Sequence, residues 1–113
     1  MVIKMYLKIN KKSIKILECN TYKERFKSFK FVLKKIDYGI KIKNKRYAST
    51  NFFCQRVDIC FTDKDDTIKY LYEFVKSEKV IIKFKKYNIY YLPIDTVKYL
   101  KIGDKLKITK SKS

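Results

Sequence analysis

The chain is 113 residues long, 46% apolar and 16% aromatic, enough for one packed interior and too short for two. Its 29 Lys and Arg against 11 Asp and Glu give a net charge of +18. The absence of histidine removes His-based acid/base chemistry, Ser–His and Cys–His nucleophiles and most zinc sites.

From the N-terminus, Ile3, Met5, Leu7 and Ile9 alternate with Lys4, Tyr6 and Lys8, the period of a half-buried strand. Asn10-Lys11-Lys12 reads as a hairpin turn, and Ile14 and Ile16 continue as a return strand toward Cys19. Thr21 and Glu24 have capping-box spacing, and Tyr22, Phe26, Phe29 and Leu33 behind them share one face of a short helix. Ile40 and Ile42 alternate with Lys41 and Lys43 in a short exposed strand, which Asn44-Lys45-Arg46 turns. Residues 49–61, STNFFCQRVDICF, give the longest strand expected, with Phe53, Gln55, Val57, Ile59 and Phe61 on a core face. Asp63-Lys64-Asp65-Asp66 is a turn and residues 67–75 a further strand. Residues 79–84 and 88–92 read as a pair joined by Lys85-Lys86-Tyr87, and Pro93 ends the second because it cannot donate to a ladder. Asp95 or Thr96 can cap one helical turn through Leu100. Gly103-Asp104 then turns into a closing strand, 105–108, and residues 109–113 read as a frayed tail. The sum is a single mainly β domain over residues 1–113, an antiparallel sandwich or barrel with one or two short helices.

Between about residues 22 and 108 the order of features resembles the family labelled domain of unknown function 192. Arg25-Phe26-Lys27-Ser28-Phe29 stands where that family has Arg followed by Gly-Leu-Met. The stretch from Thr50 to Asp58 stands where it has a His-Thr segment leading to Asp. Asp63-Lys64-Asp65, Tyr91-Leu92-Pro93-Ile94-Asp95 and Gly103-Asp104 follow in the family's order. The histidine and glycine are missing here, and Cys54 replaces a methionine. The resemblance implies a compact β-rich fold and no activity, since the family has no settled one.

The sequence excludes more chemistry than it proposes. Cys19, Cys54 and Cys60 are odd in number and form no CxxC pair, which fits a reducing compartment. Six residues along a strand put Cys54 and Cys60 roughly 20 Å apart, so they read as buried small hydrophobes rather than ligands of one metal. The carboxylates at 63–66 are spaced like a calcium loop, but Ile68 and Phe74 stand where such a loop needs Gly and Glu. The N-terminus lacks a continuous apolar segment and no run could span a bilayer, so a cytoplasmic protein without cofactor or metal is expected.

Two surfaces remain as candidates. On the strand 49–61, Arg56 and Asp58 are two apart, and with Asn51, Gln55 and Arg25 they could recognise a small ligand or a protein partner without catalysis. Alternatively, nucleic acid or another polyanion could bind Lys41, Lys43, Lys45, Arg46, Lys83, Lys85 and Lys86, with Tyr90 stacking on a base. AT-biased codon usage also accounts for much of the lysine, because Ile, Asn, Tyr and Phe are abundant while Ala and Pro each occur once. An enzyme using Asp58 as acid or base is a third class, with no partner residue in view.

Overall fold

The computed structural model describes residues 3–9, 11–18, 36–51 and 53–110. The helix expected on Tyr22, Phe26, Phe29 and Leu33 lies outside them, as do Arg25 and Cys19.

Seven strands form one mixed sheet: β1 (Ile3–Ile9), β2 (Lys12–Glu18), β3 (Gly39–Ser49), β4 (Val57–Thr62), β5 (Ile68–Val75), β6 (Val80–Leu92) and β7 (Ile108–Lys110). Their spatial order is β5-β4-β6-β3-β2-β1-β7. Every neighbouring pair is antiparallel except β2 and β3, which run parallel with Ile16 opposite Gly39 and Glu18 opposite Lys41. A parallel pair needs a long crossover, which the 20 residues between Glu18 and Gly39 supply. The mainly β class is therefore observed, and the all-antiparallel expectation is corrected to a mixed sheet.

The sheet curls without closing. Segment 103–107, just before β7, returns to the start of β5. Thr67 bridges Lys105, the Ile68 amide donates to the Asp104 carbonyl at 2.8 Å, and the Leu106 amide donates to the Asp66 carbonyl at 2.9 Å. One bridge is not a ladder, so the described strands form neither a closed barrel nor two stacked sheets.

Alternation along the strands splits the core between the two faces. Ile40, Val57, Ile59, Phe61, Ile89 and Tyr91 pack on one side with Ile36, Ala48 and Phe53. Met5, Leu7, Ile16, Cys60, Ile68, Tyr90, Leu92, Val97 and Leu106 pack on the other. β4 is buried along its whole length and contributes to both clusters.

Four local expectations change. Stretch 49–61 is the end of β3, a turn and then β4, which starts only at Val57. Lys85-Lys86-Tyr87 is not a turn, because β6 runs unbroken from Val80 to Leu92. Asn44-Lys45-Arg46 does not end a strand: β3 continues through it with register shifts around Lys45, and Asn44 sits at φ 55°. The positive φ expected of a turn asparagine is present, absorbed as a bulge. The helical turn after Pro93 forms as a 3-10 turn, Val97–Tyr99, and Thr109 and Lys110 belong to β7. No helix among the described residues is long and apolar enough to cross a membrane.

Candidate functional site

The polar segment expected to gather around a ligand is dispersed. Asp58 is fully buried, and both of its carboxyl oxygens are occupied by the backbone. Oδ1 accepts the Phe74 amide at 2.8 Å, while Oδ2 accepts the amides of Thr96 at 2.8 Å and Val97 at 3.0 Å. Phe74 lies at a register shift of the β4–β5 ladder with φ 57°, so its amide leaves the ladder and needs another acceptor. Asp95, at φ 65°, turns the chain after Pro93, and the Thr96 hydroxyl closes that turn on the Pro93 carbonyl at 2.7 Å. Asp58 thus ties β4 to a bulge in β5 and to the start of the 3-10 turn.

Arg56 meets the same bulge at Phe74 without pairing with Asp58. Its guanidinium donates to the Phe74 carbonyl at 3.3 Å and lies over the Phe74 ring at 4.5 Å. Gln55 accepts the Ile36 amide, and the Asn51 amide donates to the Ser49 hydroxyl. An Arg56–Asp58 ion pair is not formed. Cys54 is exposed, against expectation, while Cys60 is buried. Burial, with the Asp66 carboxylate nearby, pushes the Cys60 thiol up to about 12, so it stays protonated and inert at neutral pH.

A second set of polar side chains lies in one row across the sheet. Glu18, Lys41, Tyr90 and Cys60 are successive cross-strand partners on β2, β3, β6 and β4. Asp66, from the turn before β5, completes the group. The Tyr90 hydroxyl donates to Asp66 Oδ1 at 2.6 Å, Lys41 lies 3.8 Å from both Asp66 and Glu18, and Lys43 lies 3.3 Å from Glu18. Burial, then the bond to Asp66, holds the Tyr90 phenol far above its ordinary value, so it keeps its proton. Buried charges of both signs here satisfy one another, which suits a structural network better than an acid/base pair. Among the described residues, no group of three His, Cys, Asp or Glu side chains is placed to hold a metal.

These burials redraw the polyanion candidates. Lys41 and Tyr90 are inside and cannot meet a polyanion at the surface. Lys83 is half-buried and engaged by the fold: its ammonium lies 3.7 Å from the centre of the Tyr70 ring and donates to the Tyr72 hydroxyl. Phe61, Tyr70 and Tyr87 pack edge to face around that position. Lys43, Arg46, Lys85 and Lys86 are exposed and Lys45 half-buried.

Two surface features were not read from the sequence. The first is an apolar strip where β6 runs beyond its pairing with β4. Tyr47 stands opposite Ile82, and Val80, Ile82 and Phe84 alternate on the same side, exposed by 52%, 74% and 101%, with Tyr47 at 51%. The signal was present as hydrophobic alternation, but alternation does not say which face is covered. The second is the outer face of β1 and β2. Tyr6 stands opposite Lys15 and Lys8 opposite Ser13. One groove of about 390 Å³ is lined by Tyr6, Ser13, Lys15, Leu17, Asp37 and Tyr38. A second of about 370 Å³ is lined by Lys8, Ile9, Lys11, Lys12, Ser13 and Lys107.

No family model matches the chain, and no curated protein does. Solved structures share the fold. A candidate transcription regulator from Sinorhizobium meliloti 1021 superposes with a TM-score of 0.74 at 13% identity, over 97% of this chain and 94% of that one. A protein of unknown function from Novosphingobium aromaticivorans DSM 12444 superposes with a TM-score of 0.73 at 12% identity, over 94% of this chain and 84% of that one. At such identities the likeness is one of fold.

Proposed function

We propose that the protein is a non-enzymatic interaction module, a distant relative of the domain of unknown function 192 family, which docks an acidic protein surface through Tyr47, Val80, Ile82 and Phe84. The observation that carries this reading is the exposure of that strip, with Phe84 wholly outside the fold. Contiguous apolar side chains on a strand face mark contact surfaces more often than solvated ones. Exposed Arg46, Lys79, Lys85 and Lys86 lie beside the strip in the chain. With a net charge of +18, a second copy is repelled and an acidic partner attracted.

Non-enzymatic action is supported by how the carboxylates are used. Asp58 is taken by three backbone amides, Asp63 by the amides of Asp65 and Thr67, and Asp66 by Tyr90. The family reading is supported by the same contacts, because they join separate stretches that carry the resemblance: Asp58 meets the backbone just after Pro93-Ile94-Asp95, and Asp63-Lys64-Asp65 forms the turn before β5.

The test uses a synthetic peptide of alternating Glu and Leu, titrated into labelled protein and followed by NMR. Shifts concentrated on Tyr47, Val80, Ile82 and Phe84, and abolished by Ile82→Lys with Phe84→Ser, are expected. Shifts spread over lysines throughout the surface would sink the assignment, and so would a concentration-dependent dimer that buries the strip.

A further inference from the structure

We propose that the outer face of β1 and β2 is a separate binding site for single-stranded nucleic acid, with lysines holding the phosphates and Tyr6 taking a base.

The site follows from the strand period. Met5, Leu7 and Ile9 turn into the core, so Tyr6 and Lys8 must face outward together. Their β2 partners, Lys15 and Ser13, stand directly opposite with Cβ atoms ~5 Å away. The hairpin turn adds Lys11, and Lys12, opposite Ile9, lines the second groove from the end of the hairpin. The backbone bond from the Lys8 amide to the Lys107 carbonyl, 3.0 Å, brings Lys107 alongside. The two grooves meet at Ser13, which lines both. Lys8, Lys11, Lys12, Lys15 and Lys107 are all exposed, and among the described residues none is ion-paired. Among the described residues, Asp37 is the one carboxylate lining either groove.

Lysine gives compact point charges, which suit phosphates whose exact placement along a flexible strand varies. The Ser13 hydroxyl adds a phosphate donor of the usual kind. Charge alone would accept any polyanion; Tyr6 narrows the choice. It lines the groove between Lys15 and Asp37 with 37% exposure, while neighbouring Tyr38 packs on the core. A tyrosine ring among lysines offers a stacking surface to an unpaired base of any sequence, whereas a duplex keeps its base faces stacked. The ligand chemistry is therefore a phosphodiester chain with free bases.

Fluorescence anisotropy with a short oligothymidylate, its duplex with oligoadenylate, and heparin as competitor tests this. Affinity for the single strand should exceed that for the duplex and fall steeply between ~50 and ~200 mM salt. Changing Lys8, Lys12 and Lys15 to Glu should weaken it about tenfold or more, whereas the same change at exposed Lys64, Lys76 and Lys101 should weaken it about threefold or less. Tyr6→Ala should lose about fivefold or more on the oligonucleotide and leave heparin competition unchanged. Equal losses from the two lysine sets would show that net charge alone acts and overturn the site. A Tyr6→Ala protein that binds oligonucleotide normally, or duplex bound as tightly as single strand, would overturn the nucleic-acid assignment. Far-UV circular dichroism checks each variant, and Gln replaces Glu at the same positions if a triple variant does not fold. The proposal stands apart from the apolar strip, and Ile82→Lys should leave oligonucleotide affinity no weaker.

Discussion

Asp58 shows how a residue that looks chemical can be architectural. A buried carboxyl group with both oxygens turned to solvent or substrate would be a candidate acid or base. Here they meet three backbone amides that have no ladder partner, at Phe74, Thr96 and Val97. Removing the acceptor leaves those donors in an apolar setting, each at a cost of about 1–3 kcal/mol. Asp58→Ala should therefore lower stability by about 3–5 kcal/mol, a large part of what a domain of this size holds. Asp58→Asn keeps one carbonyl oxygen but points an amide N–H at a backbone N–H, and should cost less than Ala. Urea denaturation of the three proteins measures this. A loss below about 1 kcal/mol for Asp58→Ala would mean that the amides find water or other acceptors and that Asp58 is not the staple.

At the scale of elements, the start of β3 is fixed by a glycine. Gly39 pairs with Ile16 across the parallel β2–β3 contact. A Cβ there would lie 2.5 Å from Ile16 Cδ1, 2.9 Å from Leu92 Cδ2 and 3.1 Å from the Tyr91 carbonyl oxygen. The two side-chain tips can yield, but the carbonyl belongs to β6 and cannot move without its ladder. Gly39→Ala should therefore destabilise by about 1–3 kcal/mol through overpacking, outweighing the entropic gain of about 0.4–1 kcal/mol that Ala brings where it fits. A midpoint in urea that rises for Gly39→Ala would contradict the close approach. The other elements differ in how far the sequence reveals them. β1, β2, β5 and the turn at Asp63 follow from alternation and turn chemistry, because each is set by local preference. In stretch 49–61 the apolar positions Phe53, Val57, Ile59 and Phe61 keep odd numbering on both sides of the turn, so the period of two runs straight through the break. In β6, Lys85-Lys86-Tyr87 carries turn-like polarity, but pairing on both sides with β3 holds it extended. The Glu18–Lys41–Asp66–Tyr90 group was invisible for a related reason: its members come from four separate segments, and only the parallel β2–β3 register puts Glu18 beside Lys41.

The whole molecule must hold its charge against itself. A net charge of +18 is confined to a body of 33 × 29 × 26 Å. At ~10 mM salt the Debye length is about 30 Å, so every lysine feels nearly every other. At ~150 mM it is about 8 Å, and only neighbours interact. Unfolding spreads the charges, so repulsion favours the unfolded chain most at low salt. Among the described residues the attractions that salt could weaken are few: the Lys41–Glu18 and Lys41–Asp66 contacts are poorly screened, Lys43–Glu18 is half-exposed at 3.3 Å, and exposed pairs such as Lys69–Asp63 and Lys98–Asp95 are long, at 3.9 and 3.8 Å, and worth little. The contacts that bring segment 103–107 back to β5 join the two ends of the sheet through few backbone bonds, so the open edges are where repulsion strains the fold most. Stability in urea, which adds no ions, should therefore rise between ~10 and ~150 mM NaCl, and each 1 kcal/mol gained should lift Tm by about 3–6 °C. Hydrogen exchange at Ile68 and Leu106 should slow in step. A stability that falls as salt is added would mean that the Glu18–Lys41–Asp66 network outweighs the excess lysine, and would transfer the electrostatic weight of the fold from its surface to its interior.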